Sequence, residues 1–330
     1  MTIETQLETV RDLFGAREVS LEENTLKVDD RRFPVIDGVV VLLDPDQYPP
    51  SVKRRLNTGG QAMTTQEFDE GIQFTFGEEW KEFSQILPEH ETDFHLYFDL
   101  VDLEGLKNDR VCDLGCGSGR RSYFLKDHYR ELILVDFSDA IFVARKNLEG
   151  FPNTLFFMAD IHKLPFRENF ADLIFSLGVL HHLPTDCMDE VRRLKPFAKR
   201  VLIYLYYALD NRPFYFRLML KAVTALRLVL ATIKSAAFRN AFTWFGAVTM
   251  YYPFVILGKL LKPFGLAKHV PLYEGYYDKG MTHIRQDVYD RFFTAIEQRV
   301  SRKQIYGLKD TYSEVTISDQ TPYWHFLLHR

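Results

Sequence analysis

Residues 111–119 read V-C-D-L-G-C-G-S-G, three glycines in five positions at the end of an apolar run. Gly115, Gly117 and Gly119 let a backbone turn tightly and come close to a ligand. A helix opening near Ser118 aims its unpaired amides and its dipole at an anionic group. Asp113 stands at the strand end, where a ligand's ammonium would be met. The dinucleotide fingerprint is G-x-G-x-x-G; here Arg120 holds the sixth position, so the pattern is G-x-G-x-G. Asp136 closes I-L-V-D about 20 residues past the loop, where a carboxylate accepts both ribose hydroxyls. Capping the helix that follows is its other reading. Asp160 closes F-F-M-A-D and can accept an adenine amino group while Ile161 packs on the ring. A plain turn aspartate is the alternative there. Phe137 and Leu177 flank the same strand ends.

Those residues need elements to hold them. Apolar runs over 109–113, 131–135, 154–158, 171–176 and 200–207 read as strands, with helices starting near Ser118, Asp139 and Asp186. Strands separated by helices give right-handed βαβ units and a parallel sheet. All the carboxylates then sit at the carboxyl ends of strands, where open α/β sheets bind ligands. Residues 1–60 form an N-terminal extension with a strand-like run over 33–43 and a linker over 44–50. Residues 61–108 form a helical aromatic cap, 109–208 a ligand-binding core, and 209–283 an apolar, basic helical insert. Residues 284–330 complete the core with a helix over about 284–298 and an antiparallel strand pair over 302–308 and 323–329.

D-L-G-C-G-S-G-R, V-D-F-S, A-D-I-x-x-L-P-F and S-L-G-V-L-H-H-L occur in this order over 109–208. Together they resemble the class I methyltransferases, in particular the group that includes the ubiquinone- and menaquinone-biosynthesis enzymes. The resemblance implies a Rossmann-like, seven-stranded doubly wound α/β sheet and S-adenosylmethionine as cofactor. Asp113, Gly115, Gly117, Gly119, Asp136, Phe137, Asp160, Ile161 and Leu177 would be its binding set. The group's Pro-Gly-Gly turn before the fifth strand is K-P-F-A-K-R here, keeping only Pro196. Residues 25–43 also resemble the tail of a small zinc-ribbon domain, without its cysteines, and so imply a metal-free remnant.

The sulfonium methyl of that cofactor is already activated, so a base is needed only if the nucleophile must lose a proton. His181 and His182 are the candidates, since histidine titrates near neutral pH. Supporting the pocket wall is their other reading. Phe76, Trp80 and Tyr206 are candidates for the acceptor pocket, or for plain packing at the sheet edge.

A net charge of −4 and 26% charged residues indicate no overall nucleic-acid or membrane field. Three cysteines offer neither a disulfide framework nor a zinc set. The acid-bearing N-terminus lacks an apolar run and is no signal peptide, so a cytoplasmic location is expected. Between Asn211 and Tyr273, however, there are nine Lys and Arg and no Asp or Glu. A helical wheel of 217–234 gathers Arg217, Lys221, Arg227 and Lys234 in one arc opposite an apolar face, the pattern of a membrane-surface helix. Residues 240–258 form an uncharged run of marginal length for a membrane span. Peripheral membrane contact through 211–273, a cap buried against the catalytic domain, and a homodimer interface all fit. The expected acceptor is a small, apolar or lipid-like molecule. A nucleic-acid methyltransferase is the rival that the leucine-rich insert disfavours, and a non-catalytic cofactor-binding partner is the third reading.

Overall fold

The computed structural model describes residues 3–57, 67–321 and 323–330. Positions 61–66 of the expected aromatic cap lie outside those residues. The chain forms two compact units, Met1–Tyr207 with Gln298–Arg330, and Ala208–Glu297.

The first unit is built on one sheet. Its strands are β1 (Val19–Glu22), β2 (Thr25–Val28), β3 (Arg31–Ile36), β4 (Val39–Val41), β5 (Arg110–Leu114), β6 (Glu131–Asp136), β7 (Thr154–Met158), β8 (Ala171–Leu177), β9 (Ala198–Leu205), β10 (Glu314–Ile317) and β11 (Trp324–His329). They lie in the order β1-β2-β3-β4-β7-β6-β5-β8-β9-β11-β10. Strands β4 to β9 pair in parallel, and β11 runs antiparallel to both β9 and β10. The order reverses on either side of β5, which puts a crevice at the carboxyl ends of β5 and β8. Every residue of β5 and β7 is buried, because a parallel sheet is covered on both faces. Alternate residues serve opposite layers: Cys112, Leu114, Ile133 and Val135 enter one core, and Val111, Leu132 and Leu134 the other.

The α/β, Rossmann-like architecture is as expected, but the sheet has eleven strands rather than seven. The difference is the N-terminal extension. Residues 19–41 form a meander whose last strand, β4, docks in parallel on β7 through Val39↔Phe156. The turn between β3 and β4 is Asp37-Gly38, both at positive φ, the twist that two-residue hairpins favour. The segment expected to be a ribbon remnant is thus part of the main sheet. No cluster of His, Cys, Asp and Glu suited to a metal occurs among the described residues.

A second correction concerns 302–308, expected as a strand. Arg302–Tyr306 is a helix, and the sixth core strand comes later, as β10. Ser301 Oγ accepts from the Gln304 amide, and the Gln304 side chain accepts from the Ser301 amide at 2.9 Å. That capping box nucleates the helix and overrides the alternating polarity of the segment.

The second unit is helical. It contains Phe214–Leu230, Ala236–Gly246 continuing through a π-turn into Tyr252–Leu261, and Met281–Phe293. The last helix, expected to close the core of the sheet, packs against the insert helices instead. The basic arc on 217–234 is divided: Arg217, Lys221 and Lys234 are exposed, and Arg227 is not. Arg227 is buried and donates to the carbonyls of Thr294 and Ala295, at 3.1 and 3.3 Å, just past the end of Met281–Phe293. Carbonyls at a helix end lack intrahelical partners, and the guanidinium satisfies them. Leu218 and Val229 of the opposite, apolar face are 65% and 64% exposed.

Candidate active site

The glycine loop follows β5. Gly117 has φ +53°, and a Cβ there would stand 2.6 Å from Cε2 of the Trp80 indole, so only glycine fits. The Arg120 guanidinium lies 4.9 Å from the Trp80 ring. Gly115 is closed off in the same way by Val179, 2.5 Å from its notional Cβ.

Asp136 ends β6 with its carboxylate turned back to the loop. Oδ2 accepts from the Gly117 amide at 2.8 Å, and Oδ1 accepts from the Ser138 amide and hydroxyl at 2.9 and 2.8 Å. Burial raises its pKa against the pull of those hydrogen bonds. The carboxylate braces the glycine loop and shapes the turn ahead of the helix Ala140–Asn147, whose N-cap position is held by Asp139 rather than by Asp136. Asp113 is buried with Oδ2 accepting from Ser122 Oγ at 2.7 Å, and burial lifts its pKa to about 7.

Asp160 ends the run after β7. Burial alone would raise its pKa, but hydrogen bonds from His162 and Gln47 outweigh that and hold it at about 2. The donors are the His162 amide at 2.8 Å and Gln47 Nε2 at 3.0 Å. Gln47 comes from the segment expected to be a linker. Its carbonyl in turn accepts from Gln73 Nε2 at 2.7 Å. Phe137, Ile161 and Leu177 are half-buried and pack against the two cores.

The helix Glu67–Glu82 ties these parts together. Gln73, Phe76 and Trp80 are spaced i, i+3, i+7 and so share one face. Gln73 reaches Gln47 and Trp80 covers the glycine loop, while the Phe76 ring lies 5.5 Å from His182.

Beyond β8 and β9 lies an aromatic cluster. His181 has its ring centre 4.1 Å from both His182 and Tyr206. Tyr206 continues to Tyr204 at 5.9 Å, and Tyr204 to Tyr97 and Tyr323 at 5.0 and 5.2 Å. His181 is wholly buried, and among the described residues neither ring nitrogen has a hydrogen-bond partner. Burial, then the neighbouring His182 and Arg299, push its pKa well below the ordinary histidine value, so the ring is neutral.

The structure thus gathers the nine residues of the expected cofactor set along the ends of β5 to β8, and Phe76, His181, His182 and Tyr206 into one aromatic group. Gln47, Gln73, Ser122 and Val179 escaped the sequence reading. Neither their types nor their spacing marks them, and only tertiary placement brings them to the site.

Residues 112–199 match the family model of a methyltransferase domain. The chain carries a class I methyltransferase domain. It is of the kind that uses S-adenosylmethionine. No curated protein matches the chain. Among solved structures it is similar to a candidate methyltransferase from Bacillus halodurans C-125, with 14% identity over 72% of this chain and 96% of that one, at a TM-score of 0.38. A SAM-dependent methyltransferase from Aquifex aeolicus shares 19% identity over 44% of this chain and 86% of that one, at a TM-score of 0.34. The cyclase SpnF shares 17% over 34% of this chain and 44% of its own length, at a TM-score of 0.30. The matched region therefore spans less than half of SpnF.

Proposed function

We propose that this chain is a cytoplasmic enzyme that transfers the methyl group of S-adenosylmethionine to a small, apolar, lipid-like acceptor. The residues at the strand ends suit that cofactor. A carboxylate offers about four lone-pair sites, and Asp136 uses three of them within the protein. At the end of β6 it is placed to accept from the ribose. Asp160, beside Ile161, would accept from the adenine amino group. Asp113, titrating at about 7, would give up its proton to pair with an ammonium brought next to it.

S-adenosylmethionine supplies a methyl group already activated by the sulfonium. What remains for the protein is to align a nucleophile and exclude water, and orientation alone contributes up to roughly 7–11 kcal/mol in favourable cases. The observation that carries the acceptor assignment is His181, a buried neutral ring without a partner among the described residues, walled by His182 and Tyr206. A flat apolar molecule stacks on such a wall, and its hydroxyl donates to a His181 nitrogen. With so low a pKa, His181 orients the nucleophile rather than storing its proton.

The test is to incubate the full chain with methyl-labelled S-adenosylmethionine and separated apolar and polar cell extracts. Label should enter an apolar product carrying one extra CH2. His181→Ala should lose that product while calorimetry shows unchanged cofactor affinity. Labelled products confined to the polar extract would refute the acceptor class, and no label in either would refute the activity.

A further inference from the structure

The helices of the second unit leave a broad apolar face uncovered. The helix Ala236–Phe264 is 29 residues long and apolar enough to cross a membrane by length and composition, yet only 33% of its most apolar window is buried. Its inner face mixes small and polar residues with the buried Val255 and with Phe242, whose ring lies 5.4 and 5.6 Å from Phe292 and Phe293. Arg239 reaches the Tyr289 hydroxyl at 3.1 Å, Thr243 accepts from Arg285 at 3.1 Å, and Tyr251 bonds to Asp287. Its outer face carries Trp244, Phe245, Val248, Ile256, Leu260 and Phe264, between 49% and 75% exposed. Their spacing of one, three, eight, four and four keeps them on one stripe. Six such half-exposed side chains present on the order of 600 Å², the upper end of the largest apolar patch on a typical soluble monomer. The neighbouring helix Phe214–Leu230 adds Phe214, Leu218, Leu228 and Val229, all more than half exposed.

Charge selects the occupant. Arg217, Lys221, Lys234, Lys259, Lys262 and Lys268 are exposed on the same unit, in a stretch without Asp or Glu. An apolar stripe edged mainly by cations, with a Trp among it and Glu274 paired to Arg212, matches the boundary between anionic headgroups and acyl chains. It does not match a mixed-charge protein surface. Lys259 lies one position from Leu260 and three from Ile256, and Pro253 interrupts the middle of the helix. A span would hold that ammonium among acyl chains at considerable cost. A helix lying in the interface lets it snorkel to the headgroups.

We propose that the unit Ala208–Glu297 is a membrane-docking surface that takes one leaflet of an anionic bilayer. The stripe of Ala236–Phe264 enters the headgroup–acyl boundary, and the six exposed cations engage the headgroups. This stands independently of the methyl-transfer reading.

The test is flotation of the full chain with vesicles of phosphatidylcholine, alone or mixed with phosphatidylglycerol, at low and high salt. The protein should float with the anionic vesicles at low salt, and high salt should release it in part. Ile256→Asp with Leu260→Asp should abolish flotation while leaving the thermal melt and circular dichroism unchanged, because both side chains face outward. Lys259→Gln, Lys262→Gln and Lys268→Gln should weaken binding about fivefold each. Brominated acyl chains should quench tryptophan fluorescence, and Trp244→Phe should remove that quenching. Protein that stays unbound at low salt overturns the proposal. So does a dimer, seen by light scattering, that the aspartate pair breaks without any vesicle binding, since a second copy then covers the stripe. Equal flotation of the aspartate pair removes the stripe from the account, and resistance to alkaline extraction replaces docking with a span.

Discussion

Trp80 and Gly117 provide the sharpest test of how the cap helix forms the cofactor site. Gly117→Ala places a methyl carbon in left-handed backbone at φ +53°, which costs about 1–2 kcal/mol by itself. It also places that carbon 2.6 Å from Cε2 and 2.7 Å from Cζ2 of Trp80, well inside van der Waals contact. Overpacking of this kind costs about 1–3 kcal/mol more. The single variant should therefore lose about 2–5 kcal/mol. In a Trp80→Ala background the collision disappears, and Gly117→Ala should cost only the backbone strain. Urea unfolding of the four proteins gives the coupling, expected at about 1–3 kcal/mol. Calorimetry with S-adenosylmethionine on the same set should show the wild type binding best, since Trp80→Ala opens the cradle and Gly117→Ala crowds it. If the two substitutions add to within about 0.5 kcal/mol, the indole does not hold the loop and the reasoning fails.

Three other perturbations follow from the site and its supports. Asp136→Ala removes the acceptor for Gly117 and the proposed ribose contact, and should lower S-adenosylmethionine affinity by about 1.5–3 kcal/mol in calorimetry; undiminished affinity counts against the cofactor assignment. Asp113 titrates at about 7 in the folded chain and near 3.9 when unfolded. The native state then holds a proton that the unfolded state has lost, so stability falls as pH rises from about 4 to about 7. Asp113→Asn should flatten that slope in urea melts taken across the window, and an unchanged slope would show that Asp113 is not its source. Ser301→Ala removes the capping-box acceptor and should cost about 1 kcal/mol in thermal unfolding; no change would mean that packing alone makes the helix.

The parallel strands were legible because burial on both faces writes them as continuous apolar runs: β7 is read to the residue, and β6 and β8 to within one. The glycine loop and three aspartates were legible because each must stand at a strand end. The meander was not, since β1 to β3 carry charges at outward positions and bury only one side. Their turn signals at Glu23-Asn24, Asp29-Asp30 and Asp37-Gly38 were the available clue. The strand expected over 302–308 ignored the Ser301–Gln304 pair, a local signal that outranks weak alternation. The insert was recognised as apolar and basic, but a helical wheel cannot say which arc faces inward. Arg227 turned inward because unpaired carbonyls awaited it.

The parallel pairing of β4 on β7 sets an order on the birth of the chain. Val39 leaves the ribosome long before its partner Phe156 exists. At roughly 5–20 residues per second the gap is about 6–23 s. Through that interval the meander can form its own hairpins, but its buried valine strand has nothing to lie against. The nascent protein therefore carries an unsatisfied β-edge for seconds, the state in which strands pair with the wrong neighbour. Charges at Glu18, Glu22, Arg31 and Arg32 on the same small meander keep it soluble during the wait.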